Sequence, residues 1–344
     1  MAQEAIRKED SAAARVDWAR ALVRRERETA GAQYLVRADE VLSQVFERDP
    51  ENFEARKVLA GIYLARHEYS QAIDLAKKLN KKIPDDVAVY GLLADAYMAI
   101  GNYNEAETSA QWMIDFRRGA AGGMLRGALL RELWGDVEGA LEWFTTVYRL
   151  TSPSETDERA WLLTQIARVQ TSSEKFEAAE KTLEQALAVF PDHHVALAQL
   201  AQLRTAQSKH AEAVEILRRL VRIAPGLRNQ YALGVALKQS GLSAEAARVF
   251  AAFESKAAAV VHQALNANRE LVFYYADHAG KPADALRIAR IETERRQDVW
   301  TLDALAWALH ANGKDTEARQ VLDKALKLGI RDPRIARHSA AIPK

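Results

Sequence analysis

The chain of 344 residues has no cysteine, which excludes structural disulfides, thiol catalysis and cysteine-ligated metal centres. Proline and glycine are scarce, at 8 and 16 residues, and leave few positions for the turns that an all-β fold needs. An excess of one charge is lacking too. The 48 Lys and Arg stand against 47 Asp and Glu, and the resulting net charge of +1 argues against a nucleic-acid or acidic-membrane binder. No run reaches the ~18 uninterrupted apolar residues of a membrane-spanning helix, so membrane insertion is not expected. The opening MAQEAIRKEDSAAARVDW has no apolar stretch of the signal-peptide kind. As written the chain reads as soluble and cytoplasmic; a leader removed before Met1 would make it periplasmic or exported. What is present is alanine, 64 residues of it, within a composition that is 49% hydrophobic. Alanine is the smallest side chain that favours helix, so the composition points to closely packed helices and an all-α protein.

Internal repetition sets the architecture. A helix pair that cannot bury its own apolar face must stack on a copy of itself. From Phe53 the chain places Leu59, Ala60, Tyr63, Tyr69, Ala72 and Pro84 at positions 7, 8, 11, 17, 20 and 32 of a 34-residue unit. The unit from Val87 repeats most of this with Leu93, Ala94, Tyr97, Gly101, Tyr103 and Ala106. Units near 160, 194, 227 and 299 match as well, the last with Leu302, Leu305, Ala306, Leu309, Gly313, Ala318, Leu322 and Ala325. The pattern resembles the tetratricopeptide repeat. In phase with it, units start near 19, 53, 87, 121, 160, 194, 227, 266 and 299. The resemblance implies a right-handed αα superhelix of about nine helix-turn-helix repeats over residues 19–332, with 1–18 as a tail and the start of a capping helix.

Departures from the pattern carry expectations of their own. Val16, Ala19 and Val23 fall on one face of a first helix otherwise crowded with Arg24, Arg25, Glu26, Arg27 and Glu28, as suits an amino-terminal cap. Glu155 to Arg159, and a second excess near Ala257 to Leu265, read as extra turns at the start of a first helix. Gly119, Gly122, Gly123 and Gly127 crowd one junction and predict a softened joint or a close helix contact. Beyond Asp332-Pro333 a further first helix, Arg334 to Ile342, has no second helix to pair with. The stretch Arg296-x-Asp298-Val299-x-Thr301-x-Asp303-Ala304-Leu305-Ala306-Trp307, followed by His338 and Ile342, is similar to the end of a group of bacterial tetratricopeptide proteins, some of them exported.

Signals for chemistry are weak. Gly280-Lys281 and Gly313-Lys314 lack the upstream glycine of a phosphate-binding loop. His67-Glu68 is followed by Gln71 where a zinc-protease helix needs a second imidazole, and His193-His194 sit in a turn where successive side chains point apart. No serine lies in a GxSxG elbow, and Asp85-Asp86 suit a helix start better than acid–base work. No enzyme activity, cofactor or metal is expected.

The remaining feature is the surface that stacking creates. Positions 4, 7, 8 and 11 of each first helix face the partner helix, so positions 2, 5, 9 and 12 line the concave side. This selects Trp161 and Arg168; Arg228, Tyr231 and Lys238; Glu270, Tyr274 and Asp277; and Trp300, Asp303, Trp307 and His310 as groove contacts. Rigid aromatics beside charges suit the binding of an extended segment or a helix. The chaperone-adaptor carboxylate clamp is absent in this register: Lys57 is followed by Gly61, Asp95 holds the next ninth position, and Leu125 and Leu129 occupy the third unit. The expected function is a non-catalytic scaffold binding a protein or peptide through the groove. Two alternatives stand beside it: a targeting or regulatory subunit of an enzyme complex, and a structural factor that self-associates through the carboxyl end.

Overall fold

The computed structural model describes residues 11–264 and 267–343; residues 1–10, Leu265, Asn266 and Lys344 fall outside it. Nineteen helices and no strand occur among the described residues. Eighteen form nine consecutive pairs: α1 (Ala12–Thr29) with α2 (Gln33–Phe46), α3 (Phe53–Ala65) with α4 (Tyr69–Lys82), and α5 (Val87–Ile100) with α6 (Tyr103–Phe116). Next come α7 (Ala121–Leu133) with α8 (Val137–Leu150), α9 (Thr156–Ser172) with α10 (Phe176–Val189), and α11 (His194–Ala206) with α12 (His210–Ile223). The last three are α13 (Leu227–Gln239) with α14 (Ser243–Ala259), α15 (Ala267–Asp277) with α16 (Pro282–Arg295), and α17 (Val299–Ala311) with α18 (Asp315–Leu326). A single helix, α19 (Pro333–Ala341), follows.

Local chemistry explains the punctuation. Before several first helices a short polar side chain accepts the orphan amides of the first turn. Asn52 takes Ala55 N–H (2.9 Å), Asp86 takes Val89 N–H (3.1 Å), and Asp332 takes Arg334 N–H (2.8 Å). Within each pair the turn contains one left-handed residue, nine in all: Ala30, His67, Gly101, Gly135, Glu174, Ser208, Gly241, Gly280 and Gly313. First helices also pack on the next first helix, as α3 does on α5 and α15 on α17, and so form the inner wall.

The extra residues before Arg159 do lengthen a first helix, since α9 begins at Thr156. The second excess does not. It extends the preceding second helix, α14, to Ala259, and the chain then turns before α15. The glycine-rich junction is built for close approach: a Cβ on Gly123 would lie 2.9 Å from Ile114, and one on Gly127 would enter the ring of Trp143.

The superhelix is wound so tightly that successive turns touch. Gln297 N–H donates to Ile100 C=O (2.9 Å), and Val299 N–H donates to the Tyr103 hydroxyl (3.0 Å). Arg27 on α1 donates to Asp157 at the start of α9 (2.8 Å), while His194 Nε2 meets the Arg27 carbonyl (2.9 Å). Gly135 abuts Gly329. One cluster of buried apolar side chains therefore joins residues 72–133 to residues 197–342. Buried ions line this seam. Arg296 Nε lies 2.6 Å from Glu292, and Asp298 sits between Arg269 (3.6 Å) and Arg296 (3.7 Å).

Candidate functional site: the inner wall

The inner wall is assembled from first helices, and α19 closes it at the carboxyl end. Ile335, His338 and Ile342 of this terminal segment are buried, so α19 stacks where a further unit would stand. This changes the reading of the α17 face. Asp303 is completely buried, its Oδ1 paired with His338 Nδ1 (2.7 Å) and its Oδ2 3.3 Å from Arg334 Nε. Trp307 stacks face to face on His338, with centroids 4.1 Å apart, and donates its Nε1–H to Asp277 (2.7 Å). Trp300 donates to Asp332, the cap of α19 (3.2 Å), and His310 Nδ1 lies 2.5 Å from Asp315. Asp303 thus holds α19 in place and offers nothing to a ligand, because the helix that the sequence left unpaired covers it.

Tyr274 is also placed differently. Its ring lies in the core against Phe250 and Phe253, and its hydroxyl donates to Glu254 (3.2 Å). Glu270 is buried, with one oxygen 3.9 Å from Arg228 Nε. On α9, Trp161 packs into the cluster around Phe144 and Leu162. Arg168 is held by Glu132 through both carboxylate oxygens, and its Nε donates to Gln165 (3.1 Å). On α13, Tyr231 is half-buried against Phe253, whereas Arg228 and Lys238 are exposed. Asp277 on α15 is exposed as well.

Family profiles described as "Tetratricopeptide repeat" match residues 31–92, 64–111 and 164–227. Among solved structures the chain is similar to one from the APC/C hetero-tetramer Cut9-Hcn1, at 11% identity and a TM-score of 0.50. That match covers 90% of this chain and 53% of the other, so this chain spans about half its length. It is also similar to human IFIT1 in a dimer with PPP-AAAA, at 17% identity and a TM-score of 0.56 over 87% of this chain and 69% of that one. A monomeric IFIT1 mutant with m7Gppp-AAAA gives 16% and 0.58 over 92% and 71%. The chain carries tetratricopeptide repeats over the residues that those profiles match. At these identities the solved structures speak for the fold alone, and no curated protein matches by sequence.

The tetratricopeptide array presents two stretches of inner wall with different electrostatics. Near the amino end, a recess of about 670 Å³ lies between Arg20, Arg24 and Arg27 of α1, Leu64 of α3, and Tyr69. Its cations are neutralised: Arg20 by Asp17 (2.8 Å) and Glu54, Arg24 by Glu155 (2.8 Å), and Arg27 by Asp157 (2.8 Å). Burial holds the Glu26 carboxyl above its ordinary range. Near the carboxyl end the balance differs. The Arg228 side chain is 68% accessible. Arg269, Arg334 and Arg168 place like charge around it, opposed by the pull of Glu270. Lys238 donates to the ring of His278 (3.1 Å), a neutral partner.

The α19 residues Arg334 and Arg337 were not anticipated, nor was the seam. No periodic signal marks a contact between turns of a superhelix, and only the α19 histidine had been singled out in the sequence. Among the described residues no three His, Asp or Glu side chains are grouped to hold a metal ion, and no helix is long and apolar enough to cross a membrane.

Proposed function

We propose that this array is a non-catalytic scaffold whose inner wall binds a segment of another protein. The supporting observation is the open wall ahead of α19, where Arg228, Lys238 and Asp277 remain accessible on consecutive first helices while their neighbours are committed to packing. Charged groups that converge on one concave surface, beside the half-buried Tyr231, suit recognition of a chain segment more than they suit free solvent. Arg168, Trp300, Trp307 and His310 frame this wall and hold its shape through the bonds described above.

A photo-crosslinking residue placed at Lys238 tests the reading, with the same residue at the exposed Glu184 of the outer helix α10 as control. Crosslinking in the cells that express the protein should trap one defined protein from Lys238 and not from Glu184. The trapped peptide, identified by mass spectrometry and added as a purified segment, should bind the array at a single site. Equal trapping from both positions, or trapping from Glu184 alone, would move the binding surface to the outer helices.

A further inference from the structure

We propose that the segment taken by this wall is acidic, an Asp- and Glu-rich stretch of protein that lies across α13 and α19 against Arg228, Lys238 and Arg337. The inference rests on the inner-wall reading above and adds the chemistry of the partner. Four consecutive first helices, α13, α15, α17 and α19, pack side by side along this wall. Arg228 and Lys238 occupy the two ends of α13, about 15 Å apart at the helical rise. Arg337 lies exposed on α19, one turn from Arg334.

The carboxylates of this region are already engaged. Asp303 serves both His338 and Arg334 from a fully buried position. Asp277 accepts from Trp307, and Glu270 is buried and stands 3.9 Å from Arg228, outside hydrogen-bond range. Among the described residues Arg337 has no ion-pair partner, and Lys238 has only an imidazole. The guanidinium of Arg228 therefore lies in a field of like charge with one carboxylate, 3.9 Å away and not hydrogen-bonded to it, to oppose it. An anionic ligand relieves that repulsion, and charge-assisted bonds from a pre-placed guanidinium are among the stronger polar contacts.

A single-stranded nucleic acid fits less well. Its affinity grows with the number of phosphates neutralised, and about three cations without a hydrogen-bonded carboxylate supply few of them. It also needs free aromatic faces for stacking. Here Trp307 is covered by His338, and Tyr231 is packed against Phe253.

The test is fluorescence anisotropy of the full chain with a fluorescein-labelled oligoglutamate peptide, with oligoglutamine, oligolysine and oligoadenylate RNA as comparison probes. Oligoglutamate should bind, weaken as salt rises, and lose at least about tenfold in affinity in the Arg228→Glu, Arg337→Glu variant. The other probes should bind at least tenfold more weakly. Because both substituted side chains are exposed, circular dichroism should match the parent, while the melting midpoint should fall because the new carboxylate at 228 faces the buried Glu270. If that variant loses its fold, Arg228→Gln with Lys238→Gln replaces it under the same expectation. Absence of oligoglutamate binding, affinity unchanged in the variants, or tighter binding of the RNA would each overturn the proposal. A non-acidic protein crosslinked at Lys238 would leave the inner-wall reading standing and remove this one.

Discussion

The turns at Gly101 and Gly313 have the same place within their pairs and similar left-handed backbones (φ 84° and 72°), yet only one is crowded. A Cβ on Gly313 would meet nothing within 4 Å, whereas one on Gly101 would fall 2.5 Å from the carbonyl oxygen of Gln297. Left-handed geometry alone does not demand glycine here, since Ala30, His67, Glu174 and Ser208 adopt it at φ 53–61°. At Gly101 and Gly135 the neighbouring turn of the superhelix adds the demand. Two kinds of contact therefore hold this array. Stacking between adjacent helices is apolar and repeats along the chain; the seam between turns is sparse, and it adds backbone contacts and buried ions to the apolar cluster that crosses it.

Breaking one contact of each kind should produce different failures. In the seam, Asp298→Ala removes the cap that accepts Trp300 and Thr301 N–H and leaves Arg269 and Arg296 short of a carboxylate. Removing one partner from a buried ionic group costs about 3–5 kcal/mol. Denaturant unfolding should show a loss of that size, with hydrogen exchange accelerated at both Tyr103 and Val299. In the stack, Phe253→Ala opens a cavity in a fully buried site and costs about 3–5 kcal/mol before relaxation. Exchange should then quicken around α13 to α15 and leave Tyr103 unchanged, because nearest-neighbour stacking confines the damage. Gly101→Val comes next. Its backbone penalty is about 1–2 kcal/mol and its side chain has no room, so the seam should part. Small-angle scattering should report a larger radius of gyration while helix content by circular dichroism is kept; unchanged dimensions would mean that the seam absorbs the side chain.

The difference between stack and seam also decides what was legible. Leu59, Ala60, Leu93 and Ala94 recur at fixed spacing because each must meet the same neighbour in its own unit, and such spacing can be read from one chain. Gln297 against Ile100 has no counterpart at that period, so nothing in the pattern marks it. The candidate site was half legible for the same reason. Arg228, Lys238 and Asp277 follow from helix register and lie exposed on the inner wall, while Asp303 and Tyr274 depended on what packs above them. For Asp303 that was α19, visible as a helix but not as a cover. For Tyr274 it was α14, whose Phe250 and Phe253 enclose the ring.

Acid sharpens the comparison with an effect that is, for each ring, smaller than that of the seam and stack substitutions. His67 and His193 both lie at the seam. Burial pushes each imidazole down to about 4, helped at His67 by Arg296 and Arg269 and at His193 by His194 and Arg27. Glu270 and the backbone of Ala264 oppose the shift at His67, and Asp157 opposes it at His193. A base whose folded pKa is depressed binds fewer protons when folded, so its contribution is complete above the unfolded value near 6.5 and is lost as pH falls toward 4. At 1.36 kcal/mol per unit this is at most about 3 kcal/mol for each ring. Glu26, raised by burial beside His194, opposes part of this loss at that end of the seam, whereas Asp86, Glu180 and Glu254 have lowered pKa values and respond below the window. Between pH 6.5 and 4 the seam should therefore weaken, as should the stack beside His278, whose pKa burial also lowers and which stacks on Phe250, while the stack around Phe144 holds, so exchange at Tyr69 and His194 should quicken before exchange at Phe144. His67→Asn keeps a residue that tolerates the left-handed turn and removes the titrating ring, so it should flatten the response at Tyr69 and leave that at His194 intact. If both amides respond as in the parent, the pH sensitivity lies in groups other than His67.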